Sequence, residues 1–180
     1  MMSNSNISRL LASSTMSLLL TILPVSSQAA DDVPISLMGT KSLPVLPYSD
    51  ENGAAKTVSA DNHKLTAVHF WATWCVPCVA ELIEVDKTQA LYADKGFHVI
   101  ALSEDGTANL KKVQEFFVKN QIRALKPNID SDMKSLQAVK LRGMPTTIFL
   151  DKDGNAIAQA EGALDWNAPA TTQFIESHLK

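Results

Sequence analysis

Both cysteines of the chain lie in one stretch, WATWCVPCVAEL, residues 71 to 82, directly behind the apolar run LTAVHFWA of residues 65 to 72. A short continuous apolar run reads as a strand buried on both faces. The residues from Cys78 onward read as a helix, so Cys75 stands where a buried strand turns into a helix. The chain is thereby limited to folds that carry two thiols from the end of a core strand to the start of a helix.

Three uses of such a pair compete. A disulfide that closes so short a loop restricts the unfolded chain little, so a purely structural staple would stabilise poorly. Two thiolates do not complete a four-ligand zinc site, and His63, His69, His98 and His178 show no accompanying metal spacing. No metal ligand is therefore assigned, and a reactive dithiol is the leading reading.

Composition narrows the partners. A formal charge of -3 over 180 residues, with 46% hydrophobic and 19% charged residues, fits a globular protein with a sizeable core. There is no basic block, which argues against a nucleic-acid partner. Near the N-terminus, Arg9 precedes LLASSTMSLLLTILPV and then SSQAA, the pattern of a secretory signal peptide over residues 1–29. Ser27 and Ala29 suit cleavage after Ala29, and an uncleaved membrane anchor over residues 10 to 25 is the rival. Export to an oxidising compartment would permit disulfides.

Along the chain, residues 30–48 read as an extended lead-in, and 49–180 as one domain without repeats. Asn52-Gly53 marks a turn between two short extended stretches. A helix is expected from Cys78 to about Asp94, with Leu82, Val85 and Leu91 among its apolar positions and Lys95-Gly96 at its end. GFHVIALS, residues 96 to 103, is the next strand. A second helix from about Thr107 to Gln121 carries Leu110, Val113, Phe116 and Phe117 as its apolar stripe. SDMKSLQAVKL is a shorter helix, MPTTIFLDKDGNAIAQAEG a hairpin around Asp151 to Asn155, and Ala168 to Leu179 a closing helix. Strands alternating with helices and then giving way to a hairpin define an α/β class with a central mixed sheet flanked by helices.

A cysteine in the first turn of a helix faces unpaired N–H groups and the positive end of the dipole, which favour its thiolate. Cys75 occupies that place, and Cys78, one turn on, is placed to resolve a mixed disulfide formed on Cys75. Pro77 suits an early helical position and stiffens the loop joining the sulfurs. Trp71 and Trp74 read either as an apolar collar or as core aromatics. His69 shares its strand face with Trp71, beneath the cysteines, and is a candidate acceptor for the Cys78 proton or a satisfied core histidine. Glu81, three residues beyond Cys78, is a second candidate. Partly buried, its carboxyl would be raised and would oppose thiolate formation until protonated, whereas an isolated helix glutamate is ordinarily solvated.

Taken together, AVHFWATWCVPCVAEL, GMPTTIFLDKDGNAI and the closing helix resemble the thioredoxin-like fold, and more narrowly the TlpA/ResA/DsbE group of exported thiol-disulfide oxidoreductases, over roughly residues 40 to 180. The resemblance implies that Cys75 is the nucleophile and Cys78 the resolving cysteine. It implies that Pro145 is a cis-proline against the disulfide, with Met144 offering backbone groups, beside Trp74 and Pro77, to a bound partner. Glu81 matches the acidic residue that tunes such sites, whereas His69 stands where relatives carry aspartate or asparagine. Residues 104 to 122 match an element that this group adds to the minimal fold. Members commonly act as extracytoplasmic or periplasmic reductants that need no organic cofactor. They draw electrons from a membrane thiol-electron donor of the DsbD/CcdA type, and many reduce the haem-binding cysteines of apocytochrome c. The expected protein is a monomeric thiol-disulfide oxidoreductase acting on disulfide-bearing protein substrates. A redox-fold binding module without turnover, or a copper-binding or copper-site assembly protein using two soft thiolates, is the alternative.

Overall fold

The computed structural model describes residues 34–180; the expected signal or anchor segment and the first residues of the lead-in lie outside the described residues. Eight strands, β1 (Ser36–Ser42), β2 (Pro47–Ser49), β3 (Ala55–Thr57), β4 (Leu65–Trp71), β5 (Phe97–Ser103), β6 (Asn128–Asp130), β7 (Thr146–Asp151) and β8 (Asn155–Glu161), form one sheet. Their order across the sheet is β1-β8-β7-β4-β5-β6-β2-β3. Strand β4 runs parallel to β5 and antiparallel to β7, so the sheet is mixed. Four α-helices, α1 (Val76–Tyr92), α2 (Leu110–Lys119), α3 (Lys134–Ala138) and α4 (Pro169–His178), complete the described fold.

Every residue of β4 is buried, which is why its sequence is a continuous apolar run rather than an alternating one. The period of two still sorts its side chains. Leu65, Ala67 and Trp71 join the core that contains Leu82 and Val85 of α1 and Ile175 of α4. Val68 and Phe70 point to the opposite face, where Leu136 and Val139 pack.

Helix α1 turns Leu82, Val85, Gln89 and Tyr92 inward. Leu91, expected among its apolar positions, is 63% exposed, because the inward stripe steps 82, 85, 89, 92 and position 91 falls about 100° off it. Gln89 spends its amide on the neighbouring strand, donating to the Phe97 carbonyl at 3.3 Å and accepting from Val99 N–H at 2.5 Å. The chain leaves this region through Gly96 at φ 99°, a left-handed conformation that glycine adopts without penalty.

Within the stretch expected as a lead-in, Ser36–Ser42 pairs antiparallel with β8 as an edge strand, and Pro47–Ser49 pairs with both β3 and β6. The Asn52-Gly53 turn is held by Asp50, whose carboxylate accepts the N–H groups of Asn52 and Ala54, each at 2.9 Å. Between β5 and β6, α2 buries Val113 and Phe117 and packs the rings of Phe116 and Phe117 against Trp71, with centroids 5.4 and 5.7 Å away. The inserted helix thus rests on the last residue of the strand that leads to the cysteines.

The return from α2 is held to α1 by Asp86. Its Oδ1 accepts N–H groups from Arg123, Ala124 and Leu125 at 3.1, 2.7 and 2.9 Å. Losing a carboxylate that collects three backbone donors costs about 2 kcal/mol. Asp86→Ala should therefore lower the urea midpoint with an unchanged m-value, and equilibrium denaturation checks it.

Candidate active site

Strand β4 ends at Trp71, whose carbonyl accepts the N–H of Glu104 at 2.8 Å, and the next residues bend into α1. Cys75 is the N-cap, with extended backbone angles, and its carbonyl accepts the first helical bond from Val79 at 3.0 Å. A disulfide joins Cys75 to Cys78 with a Cα–Cα distance of 5.2 Å. Cys78 is fully buried, Cys75 is 8% exposed, and Trp74 and Val76 beside it are 61% and 81% exposed. Both cysteines are therefore largely covered, Cys78 completely, and exposed apolar side chains flank Cys75. No acidic residue stands in the first turn of α1, so no side-chain anion there opposes a thiolate drawn to the helix end.

The loop before Cys75 is tied down by Asp105. Its carboxylate accepts the Thr73 N–H at 2.7 Å and the Thr73 hydroxyl at 2.5 Å, and also takes Ser103 Oγ at 2.8 Å and Lys112 Nζ of α2 at 3.0 Å. Burial pushes this carboxyl up, but the donors outweigh burial and hold it below the usual aspartate range. The active-site loop and the inserted helix thus share one anion.

Trp71 lies in the core, as the core reading expects, and Trp74 lies at the surface next to Cys75. Pro77 is exposed in the first turn of α1. The Met144–Pro145 peptide is cis, directly before β7; Met144 is half-buried against both cores, and Pro145 accepts the Gly162 N–H at 2.8 Å.

His69 is fully buried, with Nδ1 2.9 Å from Thr147 Oγ1 across the β4–β7 pair. Burial alone lowers it to about 3, so the ring is neutral near pH 7, and Nε2 has no hydrogen-bond partner among the described residues. Glu81, far from the solvated position ordinary for a lone helix glutamate, is 6% exposed. Its Oε1 accepts the Trp166 indole N–H at 2.6 Å and the Leu164 N–H at 3.3 Å. Burial raises the carboxyl and these two donors lower it, leaving it at about 7.

Two further residues escaped the reading of the sequence. Trp166 follows the last strand in a loop with no motif around it. Glu104, in the SED run after β5, is buried and is pushed up to about 9 by burial, then by the nearby carboxylates of Asp130 and Asp105. Asp130 itself accepts the N–H groups of Ser135 and Leu136 at the start of α3. The signal for Glu104 was the acid that directly follows the largely apolar strand FHVIALS. Among the described residues, no group of three or more His, Cys, Asp or Glu side chains is placed to hold a metal ion.

The profile of the Redoxin family matches residues 28–174. The thiol-disulfide oxidoreductase ResA of Bacillus thuringiensis subsp. konkukian is 28% identical over 140 residues, which cover 78% of this chain and 76% of that protein. ResA of Oceanobacillus iheyensis is 34% identical over 97 residues, 54% of this chain and 49% of that one. Among solved structures, a Chlorobium tepidum protein provisionally assigned as thiol:disulfide interchange protein DsbE has a TM-score of 0.67 at 26% identity, covering 81% of this chain and 100% of that chain. A thiol:disulfide interchange protein from a Bacteroides species has a TM-score of 0.64 at 20% identity, covering 78% and 90%, a likeness of fold.

The raised carboxyl of Glu104 has a consequence for stability. Between the pH at which a free glutamate ionises, about 4.3, and the folded value of about 9, the folded chain binds more protons here than the unfolded chain. Stability therefore falls as pH rises through that window. Glu104→Gln, which is neutral throughout, should flatten the fall, as measured by urea unfolding between pH 5 and pH 9.

Proposed function

The chain belongs to the Redoxin family, and from that premise we propose that it reduces protein disulfides outside the cytoplasm, with the haem-binding cysteines of apocytochrome c as its client. The chain is a thiol-disulfide oxidoreductase, carrying a disulfide pair on a thioredoxin-like fold. The observation that carries the proposal is the asymmetry of the pair: Cys75 caps α1, 8% exposed between the exposed Trp74 and Val76, and Cys78 is fully buried. The extracytoplasmic setting is supported by the signal pattern ahead of Ala29. The client, and a membrane donor of the DsbD/CcdA type that recharges the pair, rest on the resemblance to the ResA and DsbE proteins.

In the reduced protein, the Cys75 thiolate attacks one sulfur of the client disulfide, and the other client sulfur leaves with the bonding electrons. Cys78 then attacks Cys75, closing the enzyme disulfide and releasing the second client thiol. Trp74, Val76 and Pro77 supply apolar surface beside the attacked bond, and the backbone at Met144 is the docking edge for the client segment. Cys78 must lose a proton to attack. Glu81, at about 7, is poised to take it near neutral pH. His69, at about 3, is a far weaker acceptor and serves as a neutral packing partner.

The exchange cycle is tested with a disulfide-bonded peptide carrying the haem-attachment sequence. Cys78→Ser should accumulate a mixed disulfide on Cys75, visible by mass spectrometry, and Cys75→Ser should not; equal trapping by both variants, or by neither, contradicts the assignment. Removing the ionisable carboxyl should ease thiolate formation. Glu81→Gln is expected to lower the active-site thiol pKa by about one unit, a tenfold change, in an alkylation-rate titration of the reduced protein.

A further inference from the structure

Trp166 is buried, and a buried indole N–H is costly without an acceptor. The acceptor is Glu81 Oε1, 2.6 Å away, and Leu164 N–H reaches the same oxygen at 3.3 Å. Both donors therefore fall on one carboxyl oxygen. Oε2 is buried with no hydrogen-bond partner among the described residues.

The ring has little freedom to move. It packs against Phe97 and Phe149, with centroids 6.5 and 6.2 Å away, and meets the edge of His69 at 6.2 Å and 81°. The loop that carries it is tied to α1 a second time, because Asn167 Nδ2 donates to Glu84 Oε2 at 2.9 Å. Glu81 and Glu84 lie one turn apart, so two adjacent carboxylates of α1 hold the segment between β8 and α4. The titratable groups around Glu81 are Cys78 one turn back on α1 and His69 of β4 beyond the indole. Glu84 lies at the solvent edge, paired with Lys87, and Asp165 of the loop is exposed.

We propose that Trp166 is a positioning residue for Glu81: its N–H holds Oε1, fixes the orientation of the carboxyl, and leaves Oε2 as the atom that takes and releases the proton. The proposal rests on the reading that Glu81 serves the cysteines. In the resolving step, Cys78 gives its proton to Oε2 and its sulfur bonds to Cys75. The bond between Cys75 and the client sulfur breaks, and the client cysteine leaves with that electron pair as a thiolate. The client disulfide is reduced and the enzyme dithiol oxidised.

Trp166→Phe keeps an aromatic ring, smaller than the indole, and deletes the donor. The Glu81 side-chain carboxyl is followed by carbon NMR in protein labelled at glutamate, with Glu81→Gln used to assign the signal. Its titration midpoint should rise by about one pH unit in Trp166→Phe, tenfold in proton affinity. An unmoved midpoint overturns the proposal even if the variant melts at a lower temperature, because a merely structural ring would affect melting alone. A second readout needs no tryptophan variant: the Trp166 indole N–H resonance of the native protein should shift with the Glu81 carboxyl, and the shift should vanish in Glu81→Gln. A resonance that does not follow the carboxyl overturns the proposal. Thiolate titration of Glu81→Gln keeps the two ideas apart. If thiol reactivity there is unchanged, the role of Glu81 in exchange falls, while the NMR midpoints still decide whether Trp166 holds it.

Discussion

The burial of β4 on both faces is the constraint from which the rest of the site follows. A strand sealed between two cores has one fixed register with each neighbour, and a slip of one residue would exchange the two faces. With Leu65 paired to Phe97 and Trp71 to Ser103, the end of β4 is held in place, and so is the point where α1 begins. Cys75 inherits its position at the helix N-terminus from that register. The same alternation sends His69 and Trp71 to one face of β4, so the strand that sets where α1 begins also sets where these two side chains lie.

Against this rigid frame the chain places ionisable groups where burial works against their charge. Asp105 is compensated by donors from the active-site loop and from α2, and remains an anion. Glu81 receives two donors on one oxygen and none on the other, which leaves it near neutrality. Glu104 finds other acids rather than cations and is raised further. These three carboxyls differ in local donors more than in depth, and the difference separates a structural anchor from a group able to exchange protons at neutral pH.

Much of this was legible in the sequence, because the informative signals were local. The apolar run 65 to 72, the cysteine spacing, the Asn52-Gly53 turn and the hairpin around Asp151 to Asn155 each name a conformation within a few residues. The inward face of α1 was harder to read. Leu91 is apolar and exposed, whereas Gln89 is polar and buried because two backbone groups of β5 satisfy it. The burial of Glu81 was equally hidden, since its partner Trp166 lies 85 residues away in sequence. Glu104 and Asp130 are brought together by parallel strand pairing, which leaves no local mark. Hydrophobic pattern thus disclosed the scaffold and the sulfurs, while the burial of Glu81 and Glu104 depends on contacts made only after the sheet has formed.

The direction of electron flow is the most consequential claim, and the equilibrium reduction potential of Cys75–Cys78 against a glutathione buffer tests it most directly. A reductant recharged by a membrane donor should lie near the thioredoxin end of the scale, roughly -270 mV. A value near the strongly oxidising end, roughly -120 mV, would make the pair a disulfide donor and contradict the proposed reduction of client cysteines.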